Sequence, residues 1–261
     1  MTRMTIRIGI AGIAGRMGRL LAEEAAAAGA MLVGGTVRPE SGRAPATGEV
    51  LADAQTLFAA SDIVIDFTHA AAAAGHAAIA AEAGKGLVLG SSGLSAEQEA
   101  AVRAAATRAP IVYAANFAPG VNLVLALAER MAAALPAAQY DAEIVEMHHR
   151  QKVDAPSGTA VAMGRAVAAG RGTTLEEAGR EAGRDGHTGP RATGAIGFAA
   201  LRGGQVVGEH TLLFASATEH IALTHRSFDR RAYATGAVRA ALWLHGRPPG
   251  LYDMMDVLGM R

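Results

Sequence analysis

The chain has 261 residues, of which 51% are hydrophobic and 18% are charged, which is enough for one large or two modest domains with a full hydrophobic core. Lys plus Arg and Asp plus Glu number 24 each, so the overall charge indicates neither nucleic acid nor an anionic membrane as a partner. The absence of cysteine excludes disulfides, thiolate–zinc sites and a cysteine nucleophile.

The first residues, MTRMTIRIGIAG, lack the apolar core of a signal peptide because Arg7 and the glycines interrupt it. The most apolar run, VNLVLALA, is too short to span a bilayer. We therefore expect a cytoplasmic protein with no membrane partner.

The first part of the chain alternates strands with helices. The predicted helices cover 16–29, 70–83 and 95–108, and the last begins at a capping box of Ser95 and Gln98. Almost continuously apolar strands that alternate with helices indicate a parallel sheet covered on both faces. The expected fold class is α/β, with a Rossmann-type doubly wound parallel sheet. The predicted strands are TIRIGIAG, MLVGGTV, SDIVIDFT, KGLVLGSSG and APIVYAANF.

The pattern changes in the middle of the chain. A helix over 121–135 leads into a predicted strand, YDAEIVEMHH, and another helix begins near Ser157. Two strand-like runs then flank Gly203-Gly204, a spacing typical of a β-hairpin, and EHIALTHRS follows as a third strand. This grouping predicts a second domain of α+β type with a mostly antiparallel or mixed sheet.

The last part, RRAYATGAVRAALWLHG, is helical again, and we expect it to return to the first domain. The predicted domains are therefore 1–118 together with 228–261, and 119–227.

A glycine-rich loop joins the first strand to the first helix, with glycine at positions 12, 15 and 18. Such a loop lets the backbone approach a pyrophosphate, which then lies at the helix N-terminus. The spacing differs from G-x-G-x-x-G, so a tight turn that needs glycine only for its backbone is the alternative. The position of the loop in the first strand–helix unit favours dinucleotide binding.

Arg38 follows the second strand, where an acid would bind the ribose 2′-hydroxyl of NADH. A guanidinium can instead pair with the 2′-phosphate of NADPH. We expect NADPH to be preferred, although Glu40 could still reach the ribose and Arg38 could simply face solvent.

Three later strands end in small or polar residues, namely Asp66-Phe67-Thr68, Gly90 to Gly93 and Ala114 to Phe117. In an open α/β sheet, ligands bind beyond the carboxyl ends of the strands. These segments suit contact with ribose and nicotinamide, and each is also compatible with ordinary turn chemistry.

The segment HHRQKVDAPSGTA, from His148 to Ala160, concentrates ionisable side chains. A metal site is disfavoured because the two adjacent histidines have no third ligand at i+4 and Lys152 would repel a cation. The second alternative is a purely structural role for His148 and His149. Neighbouring residues of a regular strand point to opposite faces, so at most one of the two would reach a given site.

The third alternative is an anion site with proton chemistry. Ser157 would cap a helix, and the N–H groups of Gly158 and Thr159 would then face a carboxylate. Lys152 adds positive charge, a histidine can transfer a proton, and Asp154 either orients Lys152 or ends the strand. The segment therefore predicts a socket for a small carboxylate that is protonated during a reaction.

The chain resembles the 4-hydroxy-tetrahydrodipicolinate reductase (dihydrodipicolinate reductase) family over essentially its whole length. The segment EIVEMHHRQKVDAPSGTA, the long His-Lys motif, carries most of this resemblance, and seven further motifs occur in the same order. These are GIAGRMGR, VIDFT, GSSGL, AANFAPGVN, RDGHTGPR, IGFAALRGG and VGEHT.

The resemblance implies an NAD(P)H-dependent oxidoreductase that reduces a cyclic dicarboxylate in lysine and diaminopimelate biosynthesis, without a metal. It implies that the first domain binds the cofactor and that the second binds substrate and builds a homotetramer. His148 and Lys152 would transfer protons, and His149, Lys152, Gly158 and Thr159 would bind the substrate. The implied cofactor contacts are Gly12, Ile13, Ala14, Gly15, Arg16, Met17, Gly90, Ser91, Ser92, Ala114, Ala115, Asn116 and Phe117, to which Arg38 is added.

Two other functions are compatible with a nucleotide-binding domain. Another NAD(P)-dependent dehydrogenase of amino-acid metabolism is disfavoured by the long His-Lys motif. A nucleotide sensor without turnover would not need Lys152. Many family members carry an acid where this chain has Arg38, which affects the expected cofactor preference only.

Overall fold

The computed structural model describes residues 5–38 and 42–260. The chain forms two compact units. The first runs to Pro119 and resumes at Arg231, and the second is Gly120–Arg230.

The strands, in chain order, are β1 (Arg7–Ala11), β2 (Met31–Thr36), β3 (Ile63–Asp66), β4 (Gly86–Leu89), β5 (Pro110–Tyr113), β6 (Asp141–His148), β7 (Arg180–Ala182), β8 (Ile196–Arg202), β9 (Gly208–Ala215), β10 (His220–Ser227) and β11 (Gly250–Tyr252). The helices are α1 (Arg16–Ala27), α2 (Ala54–Ala60), α3 (Ala70–Ala83), α4 (Ala96–Ala105), α5 (Pro119–Ala134), α6 (Gly158–Gly170), α7 (Leu175–Ala178), α8 (Arg231–Leu244) and α9 (Met254–Leu258).

The first unit is built on a six-stranded sheet with the order β11-β5-β4-β3-β1-β2, in which every neighbouring pair is parallel. Helices cover both faces. On one face, α1, α8 and α9 pack against β1 and β3, and on the other face α2, α3 and α4 pack against β3, β4 and β5. The prediction of a Rossmann-type doubly wound sheet is therefore confirmed.

The strand order reverses beside β1, because β2 lies on one side of it and β3 on the other. The loops that follow β1 and β3 therefore flank the point at which doubly wound sheets bind their ligands. The glycine loop and Thr68 lie in these two loops.

One local prediction for the first unit is confirmed. Ser95 and Gln98 form a reciprocal capping box at the start of α4, with 3.2 Å from Gln98 N to Ser95 Oγ and 2.8 Å from Ser95 N to Gln98 Oε1. The pattern of the sequence did not predict the short helices α2 and α9 or the edge strand β11.

The second unit contains a five-stranded mixed sheet with the order β10-β9-β6-β8-β7. The strand β6 pairs in parallel with β8 and antiparallel with β9. The predicted hairpin about Gly203-Gly204 is therefore wrong, because β6 is inserted between the two strands that this turn connects. The antiparallel hairpin is formed instead by β9 and β10.

One face of this second sheet packs against α5 and α6. The core there is formed by buried side chains that include Ile144, Met163, Val167, Leu212 and Phe214. Because side chains alternate along β6 and β9, this face also carries Glu146, His148 and His210. Polar groups are thus placed at the end of an otherwise apolar core.

Within the described ranges, none of the helices combines the length and apolar character needed to cross a membrane.

Candidate functional site

The glycine loop of the first unit makes a tight turn after β1. Gly12 has a φ of 73°, in the left-handed region that favours glycine, and its Cβ would lie 2.9 Å from Cγ2 of Thr68. The N–H of Gly15 donates to the carbonyl of Gly12 at 2.9 Å, and the N–H of Ile13 donates to the carbonyl of Thr36 at 3.1 Å. The loop is therefore held against the ends of β2 and β3.

Gly18 lets helix α1 pack closely on this loop. A Cβ at Gly18 would lie 2.6 Å from Cα of Ile13 and closer still to the carbonyl oxygen of Gly12. Glycine is thus required sterically at 12 and 18, which matches the turn and helix-packing roles of glycines in dinucleotide-binding loops. Gly15 precedes the helix and places no side chain at the helix N-terminus.

A buried polar cluster follows β3. Asp66 is fully buried and accepts hydrogen bonds from the backbone N–H and the hydroxyl of Thr68, at 2.7 and 2.6 Å. Its other oxygen lies 2.7 Å from Nδ1 of His76 on α3. This cluster fixes Thr68 beside Gly12, and the sequence pattern did not single out His76.

The ends of β4 and β5 lie in the same unit. The Cβ of a residue at Gly90 would fall on the ring of Phe67, and the hydroxyl of Ser91 is buried without a hydrogen-bond partner in the described ranges. Phe117 is buried, and its ring centroid lies 5.3 Å from that of Phe67. The ring of Phe117 therefore belongs to the core.

The predicted cofactor residues differ in exposure. Arg38 lies two residues beyond β2 and is exposed, whereas Ile13 and Ser91 are buried. Asn116 accepts a hydrogen bond from the backbone N–H of Ala118 at 2.8 Å. Glu40 lies outside the described residues. The other predicted cofactor residues, Ala14, Arg16, Met17, Ser92, Ala114 and Ala115, lie in the loops after β1, β4 and β5 or at the start of α1.

In the second unit, β6 ends at His148, and His149 begins the loop. Nδ1 of His148 lies 2.6 Å from Oε2 of Glu146, two residues earlier on the same face of the strand. Arg202, opposite His148 on β8, donates to both oxygens of this carboxylate, at 2.8 and 2.9 Å. A fourth hydrogen bond comes from the backbone N–H of Ser157, at 3.0 Å from Oε1.

These hydrogen bonds keep Glu146 ionised. Burial raises its pKa, but the hydrogen bonds from Arg202, His148 and Ser157 outweigh burial and hold the pKa below its ordinary value. Sequence reasoning missed both Glu146 and Arg202. The alternation in EIVEMH places Glu146 on the face of His148, whereas Arg202 comes from the pairing of β6 with β8.

His210 lies opposite Glu146 on β9, with its ring centroid 5.0 Å from that of His148 in an edge-on arrangement. Its Nε2 lies 2.9 Å from Oγ of Ser157. Burial, with a smaller contribution from the neighbouring His148, lowers the pKa of His210 to about 4. His210 is therefore neutral at neutral pH.

Ser157 caps α6 as predicted, because its Oγ accepts a hydrogen bond from the N–H of Ala160 at 3.2 Å. Gly158 and Thr159 are the first two helical residues, and a Cβ at Gly158 would meet no other atom within 4 Å. The helix start therefore has open space beside its first residue.

The loop between β6 and α6 holds the other two predicted residues. Nζ of Lys152 lies 2.8 and 2.9 Å from the two oxygens of Asp154, which accounts for the role of Asp154. Nδ1 of His149 is buried and has no hydrogen-bond partner in the part of the chain that the structure describes. The second unit thus combines a carboxylate-bound histidine, an ammonium and a capped helix start.

No group of three or more His, Asp or Glu side chains that could hold a metal ion occurs within residues 5–38 and 42–260.

Comparison with known proteins gives the same assignment along the whole chain. The family model described as "Dihydrodipicolinate reductase, N-terminus" matches residues 6–117, and the one described as "Dihydrodipicolinate reductase, C-terminus" matches residues 120–258. A solved structure described as "Dipicolinate bound Dihydrodipicolinate reductase from Paenisporosarcina sp. TG-14" has a TM-score of 0.81 and 24% identity, over 97% of this chain and 99% of that chain. At this identity the likeness supports the fold.

Two relatives are more similar in sequence, and both are named 4-hydroxy-tetrahydrodipicolinate reductase. The protein from Granulibacter bethesdensis is 67% identical, over 100% of this chain and 99% of its own length. The protein from Gluconacetobacter diazotrophicus is 64% identical, over 100% of both chains. The chain therefore belongs to the dihydrodipicolinate reductase family.

Proposed function

We propose that this protein is a 4-hydroxy-tetrahydrodipicolinate reductase that uses NAD(P)H to form tetrahydrodipicolinate in lysine and diaminopimelate biosynthesis. The observation that carries the proposal is the group formed by His148, Lys152 and the start of α6, in a chain 67% identical to a relative of that name. Its parts supply the proton and the anion contacts that reduction of a dicarboxylate needs.

The first unit is the proposed cofactor domain, and its loop fits a dinucleotide. Gly12 adopts a left-handed conformation, Gly15 carries no side chain, and Gly18 lets α1 pack closely on the loop. The start of α1 is therefore open to a pyrophosphate. The unpartnered Ser91 hydroxyl offers a hydrogen bond near the end of β4. When bound, the reduced nicotinamide supplies the hydride. The proposed contacts are Gly12, Ile13, Ala14, Gly15, Arg16, Met17, Gly90, Ser91, Ser92, Ala114, Ala115, Asn116 and Phe117.

The second unit is the proposed substrate domain. The N–H groups of Gly158 and Thr159 bind one carboxylate of the substrate, where the helix dipole favours negative charge. His149 contributes its unpartnered Nδ1, and Lys152 contributes its ammonium. The ammonium of Lys152 is held beside Asp154, with Nζ 2.8 Å from Oδ1.

The protons are moved by His148 and Lys152. The reaction consumes one hydride and one proton and releases the 4-hydroxyl group of the substrate as water. Loss of water leaves the unsaturated ring, which then takes up the hydride and the proton. Lys152 donates from an ammonium, and His148 donates or accepts through the ring nitrogen that does not face Glu146.

Arg38 supports a preference for NADPH. It is exposed just beyond β2, where the adenosine ribose of a dinucleotide lies in doubly wound sheets. A guanidinium there pairs with a 2′-phosphate in the bidentate geometry that an acid cannot provide.

A homotetramer in the cytoplasm completes the proposal. The face of the second sheet opposite α5 and α6 exposes Val145 by 40% and Leu201 by 51%, and apolar surface on an open sheet favours burial by another copy. Sedimentation tests this directly, with a tetramer expected for the native chain and smaller species for Leu201→Asp.

The experiment for the reaction supplies the product of dihydrodipicolinate synthase in situ and follows the absorbance of NADPH or NADH. Oxidation that depends on this product supports the proposal. Tight binding of NADPH without oxidation of either cofactor would instead favour a nucleotide sensor.

A further inference from the structure

The carboxylate of Glu146 connects His148 with the start of α6. Oε2 lies 2.6 Å from Nδ1 of His148, and Oε1 lies 3.0 Å from the backbone nitrogen of Ser157. Ser157 in turn caps α6. One buried side chain therefore holds both the ring that exchanges a proton and the helix start that binds an anion.

Glu146 can act only as an acceptor. Its side chain has no exposed surface, and Arg202 pairs with it through two nitrogens. Because an ionised carboxylate has no proton to donate, the short contact with His148 requires a proton on Nδ1. The neutral ring of His148 is thereby restricted to one of its two tautomers.

The other ring nitrogen, Nε2, has no partner among the residues that the structure describes, and the side chain keeps 11% of its surface exposed. A Cβ at Gly208 would lie 3.0 Å from Nε2, so the glycine leaves this nitrogen uncovered. His210 is the next ring along the sheet and stays neutral, so it adds no competing charge.

We propose that Glu146 is a positioning residue that holds His148 in the tautomer with Nδ1–H and leaves Nε2 as the atom that exchanges the proton. The kinetic consequence rests on the proposed reductase function. The tautomer of His148 does not depend on that function, so a test of the tautomer can fail or succeed separately from a test of the reductase activity.

The first test uses the native protein labelled with ¹⁵N at histidine. Two-bond ¹H–¹⁵N correlation spectra at alkaline pH distinguish a proton on Nδ1 from one on Nε2, and the His148→Ala variant assigns the signal. We expect His148 to carry its proton on Nδ1. A proton on Nε2 in the native protein would overturn the inference, whatever the activity.

The second test is a double-mutant cycle with Glu146→Gln and His148→Ala. The amide of glutamine can donate to Nδ1 and so favours the opposite tautomer, which we expect to lower kcat by about 10²-fold or more. If Glu146 acts through His148, Glu146→Gln lowers the kcat of His148→Ala by less than about 3-fold. If the losses of kcat in the two single variants instead multiply in the double variant, Glu146 has a structural role and the inference is wrong.

Glu143→Gln is the matched control. Glu143 lies on the same strand and pairs with Arg184 and Arg191, but on the face opposite His148. We expect its kcat to stay within about 3-fold of the native value. An equal loss of kcat in both variants would contradict a specific role for Glu146. If Glu146→Gln does not fold, the spectrum of the native protein still decides.

Discussion

Lys152 and Asp154 form a local ion pair in which both carboxylate oxygens accept hydrogen bonds from the ammonium, at 2.8 and 2.9 Å. The hydrogen bond from Lys152 lowers the pKa of Asp154, so this carboxylate is charged at neutral pH. The pairing restricts where the ammonium of Lys152 can lie.

We expect Lys152→Ala to lower kcat by about 10²- to 10⁴-fold, because the proposed proton donor is lost. Binding of NADPH should change little, since the proposed cofactor contacts lie in the other unit. Steady-state kinetics and a fluorescence titration of NADPH measure the two effects. Arg150→Ala, which removes a neighbouring exposed cation, is the control and should retain most of the activity. An unchanged kcat in Lys152→Ala would remove this side chain from the mechanism.

Gly18→Ala should weaken cofactor binding and destabilise the protein. The new methyl group would overlap the backbone of Gly12 and Ile13, and overpacking of this kind costs about 1–3 kcal/mol. Thermal unfolding and NADPH titration test this. The control is Gly75→Ala, because Gly75 lies in α3 with no atom within 4 Å of an added Cβ. Helix propensity predicts that Gly75→Ala raises stability by about 0.5–1 kcal/mol.

Arg38→Ala should lower kcat/KM for NADPH by about 10- to 100-fold, the loss expected for a charge-assisted hydrogen bond to a phosphate. The kcat/KM for NADH should stay nearly constant, because NADH has no 2′-phosphate. Arg103→Ala, on the exposed surface of α4, is the control. A parallel decrease for both cofactors would mean that Arg38 does not recognise the phosphate.

His210 should make the protein less stable in mild acid. Its pKa is about 4 in the folded chain and about 6.5 when unfolded, so the unfolded chain binds the proton first. The contribution of neutral, buried His210 to the free energy of unfolding is fully present above pH about 6.5. The free energy of unfolding then decreases by on the order of 3 kcal/mol as the pH falls toward 4. His225, whose pKa is also lowered by burial, adds to this decrease.

Denaturant unfolding at a series of pH values measures this effect. His210→Gln should flatten the dependence between pH about 6.5 and about 4.5, before the carboxylates begin to titrate. His187→Gln, in an exposed loop, should leave it unchanged. If the free energy of unfolding depended on pH identically in the native protein and in His210→Gln, His210 would not be the source of the decrease.

The local features of the fold could be predicted because they depend on neighbouring residues. The capping box at Ser95 and the cap at Ser157 need only side chains three residues or fewer from the N–H groups that they satisfy. The hairpin prediction failed because strand pairing is decided by the whole sheet, and β6 pairs with both β8 and β9. The strand β11 is only three residues long and follows a segment rich in glycine and proline, which gives no strand pattern.

The same distinction applies to the site in the second unit. The sequence pointed to His148, Lys152 and Ser157 because they fall within one short motif. Arg202 and His210 are more than fifty residues from Glu146 in the chain and reach it only through the register of β6 with its neighbours. Glu146 itself was within reach of sequence reasoning, since residues two apart share a face of a strand.

The first unit is made of two chain segments, and this affects how the protein folds as it is synthesised. Ile8, Ile10 and Ile65 form a sheet face that α8 covers with Val238 and Leu244. Those two residues follow the entire second unit in the chain. On the ribosome, the second unit can therefore complete its core before α8 has been synthesised. Until α8 is present, the sheet face of the first unit exposes apolar surface of the kind that chaperones bind.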